Sequence, residues 1–541
     1  MNEWSIPAVL DVITDVAPGR EMVVWCDTRR TYAQVQDRTR ALARHLLASG
    51  LGVERERSEL EPWECGQSRV AILMSNGPEY LEAMIGSYRA RCVSFNVNHQ
   101  YNADEVASLL DSIGTSAVVY HRRFGPQLEK VAGVEQMVLL EIDDGSGAER
   151  VERSIPFESA IADAPTDVEL PVPSPDDLYM VCTGGTTGVP KGVLWRQADI
   201  FVAGMNGSDA TTEESLREAG AAGGGIFFAA PPMMHGAAQW TAFSGLMNGA
   251  TVVLHDDSRR FDARAILSIA EQERVNVMSI VGDAFARPIV EELRSGSYDL
   301  SALGILGTGG AATNPEYKHE LLELVPHLVI MDGYGASETG AAGFAPSMKG
   351  SETREFAPSP GSEIVDAELT RFLQPGDDET GWAVRTGHIP LGYLGDPDKT
   401  RRTFVEVAGR RASVPGDRAR YDAAGNIIML GRDSMVINTG GEKVYVEEVE
   451  EAVRQHPDVA DALVVGRPDD RFGQIVVALV EPHDGATPSP AALRAFVADR
   501  IARYKAPRAV LLCERIGRFP TGKADYQWAK QAALDAVPAT D

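Results

Sequence analysis

YMVCTGGTTGVPKGVLW, residues 179–195, packs four glycines, three threonines, a proline and a lysine between two apolar runs. Gly184, Gly185 and Gly188 leave the backbone bare, and Thr183, Thr186, Thr187 and Lys191 surround it with hydroxyls and an ammonium. Successive exposed N–H groups beside such donors suit an anion. The GxxxxGK[ST] phosphate loop is the obvious comparison, and the segment fails it. Lys191 lies three residues after Gly188, Pro190 intervenes, and the GVLW that follows favours a strand over a helix start. The spacing predicts a hairpin tip that grips a polyphosphate and lets it go; the bland alternative is a glycine-rich turn.

On both sides of this hairpin, apolar strands alternate with helices. RVAILM (69–74), CVSFNVN (92–98), SAVVYH (116–121), ATVVLHD (250–256), NVMSIVG (276–282) and HLVIMDG (327–333) read as buried strands. Val35, Thr39, Leu42 and Leu46 share one helical face that Gly50 stops. Pro78 opens a second helix, with Ser75 or Asn76 as its cap. Apolar strands separated by helices predict a parallel sheet covered on both faces. Residues 204–225 read as a polar excursion between core segments, and 347–361 as another break. From about residue 434, VYVEEVEEAVRQHPDV, ADALVVGRPD, QIVVALVEP and AALRAFVADRIARYKAP give helix, strand, strand, helix. The fold class is therefore α/β: a large N-terminal domain of parallel-rich sheets layered with helices, then a small α/β domain.

A chain of 541 residues exceeds a single domain several-fold. Its apolar share of 44% and charged share of 24% are those of a globular enzyme. No run approaches the ~18 apolar residues of a transmembrane helix. The start, MNEWSIPAVLDVITDV, is acidic and broken by Pro7, unlike a signal peptide. Cys26, Cys65, Cys92, Cys182 and Cys513 show no CxxC, so reduced thiols in a cytoplasm are expected and a zinc site is not. A net charge of −27 argues against nucleic-acid binding. An anionic substrate would need a local cluster of positive charge set against that field.

YMVCTGGTTGVPKGV resembles the signature loop of the adenylate-forming superfamily: acyl-CoA synthetases, firefly luciferase and peptide-synthetase adenylation domains. Further motifs follow in family order over nearly the whole chain: DGYGASETG (332–340), TGHIPLGYLGDPDKT (386–400), VPGDRARYDAAGNIIMLGRD (414–433), INTGGEKVYVEEVE (437–450) and FPTGKADY (519–526). The resemblance implies two half-reactions. A carboxylate attacks the α-phosphate of ATP and releases pyrophosphate, and a thiol, that of CoA, then displaces AMP. It also implies domains of residues 1–432 and 433–541, the second mobile about a hinge at Ser434, where many relatives carry aspartate or lysine.

Residue by residue, the resemblance implies that Thr183, Gly184, Gly185, Thr186, Thr187, Gly188 and Lys191 hold the β- and γ-phosphates. Glu338, with Thr187, would bind Mg2+. Tyr334 and the Gly309-Gly310-Ala311 strand end would flank the adenine, Asp332 would meet its amine, and Gly333, Gly335 and Ser337 complete that wall. Asp417 would take both ribose hydroxyls, Arg432 the ribose or phosphate, and Lys523 the substrate carboxylate and α-phosphate. Gly440, Gly441, Glu442 and Lys443 would let a pantetheine arm pass. His235 matches a gating position; with Gln239, Trp240, Asp283, Gly307, Thr308, Gly309 and Gly333 it is expected to line the acyl pocket. Of Arg401, Arg402, Arg410, Arg411, Arg503, Lys505 and Arg508, some would meet CoA phosphates and most would be solvated. The wording of these motifs is similar to actinobacterial acyl-CoA synthetases acting on steroid side-chain acids, which implies a bulky, apolar carboxylate. Medium- or long-chain fatty acids, adenylation alone with transfer to a carrier protein or partner enzyme, and luciferase-like oxidation are the alternatives. A homodimer is left open.

Overall fold

The computed structural model describes the chain except residues 1–2, 184–189, 260, 312, 352, 354, 433–434, 440–441, 470–471, 502, 519–523 and 537–541. Its largest sheet has nine strands. The strands Glu21–Trp25, Thr251–Leu254, Ile226–Ala229, Val277–Ile280, Ile305–Thr308 and Val329–Ala336 lie side by side and parallel within it. Antiparallel strands close both edges, Thr28–Thr31 at one and Gly340–Ser347 with Ala357–Pro358 at the other. A second, five-stranded sheet is parallel throughout and carries Arg69–Leu73, Val93–Asn96 and Ala117–His121. The apolar runs read from the sequence are thus strands, and helices cover both sheets as parallel strands require.

Three details differ from the sequence reading. The helix Pro78–Arg89 is capped by the backbone of Gly77, not by Ser75 or Asn76. Asn76 is a long-range tie instead: its N–H donates to Asp257 at 2.6 Å, and its side-chain oxygen accepts from the Met233 N–H at 2.7 Å. The excursion 204–225 contains a helix, Glu213–Ala222, opened by a Thr212–Ser215 capping box. It packs on the first helix, Ile6–Val16, through Gly220, where an added Cβ would lie 2.6 Å from Val16. Finally, Val329–Ala336 runs past Gly333 and folds back onto Gly340–Ser347. Gly335 makes that reversal feasible, because a Cβ there would sit 2.1 Å from the Gly340 carbonyl oxygen.

The C-terminal part forms its own five-stranded sheet, with Val459–Asp469 and Gly473–Pro482 as its long antiparallel pair. Helices Val446–Arg454, Pro490–Ala498 and Tyr526–Asp535 cover it. Its two apolar clusters draw only on residues from 435 onward, so this part has a core of its own. All five cysteines are free. No described helix is long and apolar enough to cross a membrane.

Candidate active site

A continuous cleft of ≈ 3860 Å³ opens at the carboxyl ends of the parallel strands, between the large sheet, the foot of the glycine-threonine hairpin and the C-terminal domain. Ligands of open α/β sheets gather in that position. Lys191, His235, Trp240, Asp283, Gly307, Thr308, Gly309, Gly310, Ala311, Asp332, Gly333, Tyr334, Gly335, Ser337, Glu338 and Asp417 all line it. Gly184, Gly185, Thr186, Thr187, Gly188, Ser434, Gly440, Gly441 and Lys523 lie outside the described residues. Thr183, Arg432, Glu442 and Lys443 are placed by the backbones of their strands.

The strands Leu178–Thr183 and Lys191–Arg196, which flank the glycine-threonine run, pair antiparallel with Thr183 opposite Lys191, and the run between them lies outside the described residues. Gly192 keeps the two strands flush, since a Cβ there would lie 2.4 Å from the Met180 sulfur. Lys191 forms an ion pair with Asp396. Asn96 anchors the hairpin from behind. Its amide donates to the Cys182 carbonyl (2.9 Å) and the Met234 carbonyl (2.7 Å) and accepts from the Cys182 N–H (2.8 Å). Sequence reading passed over Asn96 as one more strand residue. The signal was an amide within an apolar strand, which must find partners once buried.

Glu338 sits on the reversal between Val329–Ala336 and Gly340–Ser347, and nearly every carbonyl there has a donor. Trp195 donates to Ser337 O at 2.9 Å, and Ser413 donates to Glu338 O at 2.6 Å. Arg385 donates to Thr339 O at 3.0 Å and Ala341 O at 2.8 Å. Arg385 is buried, and burial pulls its pKa down to about 10, so it remains a cation at neutral pH. The Glu338 carboxylate accepts from the Tyr393 hydroxyl at 2.7 Å through Oε1. No described residue hydrogen-bonds its Oε2, and the side chain faces the cleft.

The Tyr334 ring packs edge-on against Phe356, with centroids 4.9 Å apart. The backbone of Gly343 backs it, for a Cβ there would lie 2.4 Å from the ring. Burial pushes the Tyr334 phenol well above its ordinary pKa. Across from it the bare strand end Gly309-Gly310 turns, with Gly310 at φ +75°. A Cβ on Gly309 would lie 3.2 Å from the Gly333 carbonyl oxygen, so the slot suits a flat group only while these positions lack side chains. Asp332 lines the cleft and already has two partners. Lys318 holds one carboxylate oxygen at 2.7 Å and Thr308 holds the other, so the pair anchors neighbouring strands before it meets any ligand. Asp417 opens its strand directly after Gly416, opposite Arg432.

Deeper in the cleft, Phe227, Val277, Ser279, Ile305, Gly307 and Met331 share one face of four adjacent strands. Trp240, Thr241 and Ser244 of helix Gly236–Leu246 face them. Thr241 and Ser244 already donate to backbone carbonyls, whereas the buried Ser279 Oγ has no partner among the described residues. Gln239 does not line this space. It accepts from the Tyr179 hydroxyl at 2.6 Å and donates to Met233 O at 2.9 Å, and it is buried, so it braces the wall from behind. His235 is the cap residue of the same helix. Asp283 accepts from the Asn314 N–H at 2.7 Å. Burial raises its carboxyl pKa while Arg454 and Arg518 of the C-terminal domain lower it, so Asp283 faces the junction between domains.

At the cleft mouth His388 is clamped between Asp199 and Asp209, with each ring nitrogen 2.8 Å from a carboxylate oxygen. The bond to Asp199 raises its pKa most, burial opposes, and Asp209 adds to the rise. Arg196, 3.5 Å from Asp199, and Arg411 are cations near the clamp. A raised folded-state value means the clamp stabilises fully below the ordinary histidine pKa of about 6.5 and fades as pH rises through the folded value. His388→Gln should therefore lower the urea midpoint more at pH 6 than at pH 9. Equal losses at both pH values would contradict a charged clamp.

The AMP-binding enzyme family matches residues 11–381, and the AMP-binding enzyme C-terminal domain matches 448–523. The chain belongs to the AMP-binding enzyme family. It is similar, at 40% identity over 98% of both chains, to the medium-chain acyl-CoA ligase Mig of Mycobacterium avium. It is also similar to the 3-oxocholest-4-en-26-oate–CoA ligase of Rhodococcus rhodochrous, at 37% identity over 97% of this chain and 95% of the other. Among solved structures, the anthranilate CoA ligase AuaEII in complex with anthranoyl-AMP shares the fold, with a TM-score of 0.80, 20% identity and 98% coverage of both chains. ATP-bound MatB from Rhodopseudomonas palustris does so with a TM-score of 0.80, 21% identity and coverage of 98% and 99%.

The donor set of this AMP-binding enzyme fits magnesium in a specific way. Among the described residues no three His, Cys, Asp or Glu side chains converge on one point, so no all-protein cage exists there. Glu338 offers one oxygen unoccupied by described residues, and a hard cation that also takes phosphate oxygens and water needs little more from the protein.

Proposed function

We propose that this protein is an ATP-dependent ligase that joins a bulky hydrophobic carboxylic acid to CoA through an acyl-adenylate. The carrying observation is the cleft itself, which brings an adenine slot, a held carboxylate at Glu338 and an apolar floor into one space. The acid's oxygen attacks the α-phosphorus, the bond to pyrophosphate breaks, and the electron pair leaves with pyrophosphate. The CoA thiolate then adds to the acyl carbonyl and AMP departs with its carboxyl-derived oxygen. Lys523 would neutralise the approach of two anions in the first step, and Glu338 would hold a Mg2+ that offsets phosphate charge. Residues 1–432 would bind ATP and acid, and residues 433–541 would turn about Ser434 between the steps. The cytoplasm, where ATP and CoA are plentiful, is the proposed site of action.

The width of the floor supports a polycyclic acid over a linear one. Four strands at about 4.8 Å spacing span about 14 Å, more than one alkyl chain fills. Small residues at Gly307 and Gly204 keep the channel deep; a Cβ on Gly204 would already lie 3.3 Å from the Trp240 ring. The relatives named for medium-chain and steroid acids agree with an apolar substrate.

The test incubates the enzyme with ATP, Mg2+ and steroid, terpenoid and C8–C16 linear acids, with and without CoA, and measures pyrophosphate, AMP and thioester. Thioester formed at least about tenfold faster from polycyclic acids is the expected result. Linear acids turning over faster would reassign it as a fatty acyl ligase. Pyrophosphate without thioester would assign adenylation alone, with transfer to a carrier or partner.

A further inference from the structure

Lys399 lies on the short helix Pro397–Thr403, in the cleft wall beside the hairpin foot. Its ammonium stands 3.8 Å from the centroid of the Tyr393 ring, the same tyrosine whose hydroxyl holds Glu338 at 2.7 Å. Among the described residues no carboxylate pairs with it. Asp396, on the preceding turn, uses one oxygen on Lys191 and the other on the Lys399 backbone N–H at 2.9 Å. Lys191 and Arg402 line the same wall. Burial lowers the Lys399 pKa most, Glu338 raises it, and Lys191 lowers it further, so these three groups feel one another.

A half-buried ammonium among other cations is unfavourable unless an anion joins it. Lys191, Lys399 and Arg402 outnumber Glu338 and Asp396 here, a small local excess of positive charge in a chain of net charge −27. The face of an aromatic ring can hold an ammonium without neutralising it. That leaves the charge free for a ligand, where an ion pair would have consumed it.

We propose that Lys399 binds the pyrophosphate end of ATP and stabilises the charge that collects on pyrophosphate as the α-phosphorus–oxygen bond breaks. This inference rests on the adenylating reaction proposed above. Tyr393 links the two positive centres of the site: its hydroxyl orients the carboxylate for the metal, and its ring seats the ammonium. The same placement gives pyrophosphate a way out, since a cation on an aromatic face releases its anion without having to rebuild a protein ion pair.

The test uses the full-length enzyme, wild type, Lys399→Met and Lys399→Arg, with pyrophosphate, tripolyphosphate and AMP as competing inhibitors of adenylation. Lys399→Met should raise the KM for ATP and the Ki values for pyrophosphate and tripolyphosphate by about tenfold, the scale of one hydrogen bond to a charged group. Its Ki for AMP should not move, and Lys399→Arg should recover most of the loss. An unchanged pyrophosphate Ki would overturn the proposal, and so would equal weakening of AMP, which would mark a merely structural role. A wild-type enzyme that binds neither ATP nor pyrophosphate would overturn the adenylating reading itself.

Discussion

Glu338→Gln should slow ATP–pyrophosphate exchange by about 10²–10³-fold, as loss of one preorganised electrostatic contact does elsewhere. The substitution keeps the shape of the site. An amide oxygen still accepts from the Tyr393 hydroxyl, and the Ser413 bond to the backbone carbonyl is untouched. Unfolding free energy should therefore stay within about 0.5 kcal/mol of wild type. What disappears is the negative oxygen facing the cleft, and with it the protein's share of the cation. The Mg2+ concentration for half-maximal exchange should rise in parallel. Exchange within threefold of wild type would remove Glu338 from the metal site.

Arg385→Met should also be highly damaging, because Arg385 both lines the cleft and holds the reversal that carries Glu338. It strips donors from Thr339 O and Ala341 O, which flank Glu338 in the reversal. Each buried carbonyl left without a donor costs about 1–3 kcal/mol, and relief of a desolvated guanidinium returns part of that, so a net loss of about 2–4 kcal/mol is expected. Because the freed turn carries Glu338, exchange activity should fall by at least about tenfold even under conditions where the variant is folded. Arg385→Lys should recover part of the loss, since both bonds come from one guanidinium nitrogen, Nη1, and an ammonium also donates more than once. A folded Arg385→Met enzyme with normal exchange would show that the strand ladder alone holds the turn.

Motifs carried by short runs, such as DGYGASETG or the glycine-threonine hairpin, were legible because their chemistry depends on neighbours in sequence. Strands were legible because two-sided burial leaves long apolar runs. The helix Glu213–Ala222 escaped because only Leu216 and Gly220 of it are buried; its capping box and paired acids at 213–214 were the overlooked signal. Asp332 was matched to the adenine by its motif and Gln239 to the acyl pocket by its segment, and neither signal reveals the partners each has in the fold. Lys318 and Tyr179, which claim them, stand 14 and 60 positions away. Arg385, Asn96 and Tyr393 act across 46, 86 and 55 positions, and no local pattern encodes such a pairing. The floor of the acid channel has the same origin, because its width is a property of strand order.

Strand order has a temporal side as well. Glu21–Trp25 is made early, yet its parallel neighbour is Thr251–Leu254, with Val23 opposite Val252. At a ribosomal rate of about 5–20 residues per second, the edge hairpin of the large sheet waits about 10–45 s for the strand it must join. During that interval MVVW, the apolar centre of the first strand, has only the polar Thr28–Thr31 beside it. The nascent chain thus carries an unpaired strand edge until Thr251–Leu254 is made, and the helices Tyr32–Ala48 and Pro78–Arg89, which pack on that strand, are the cover available to it.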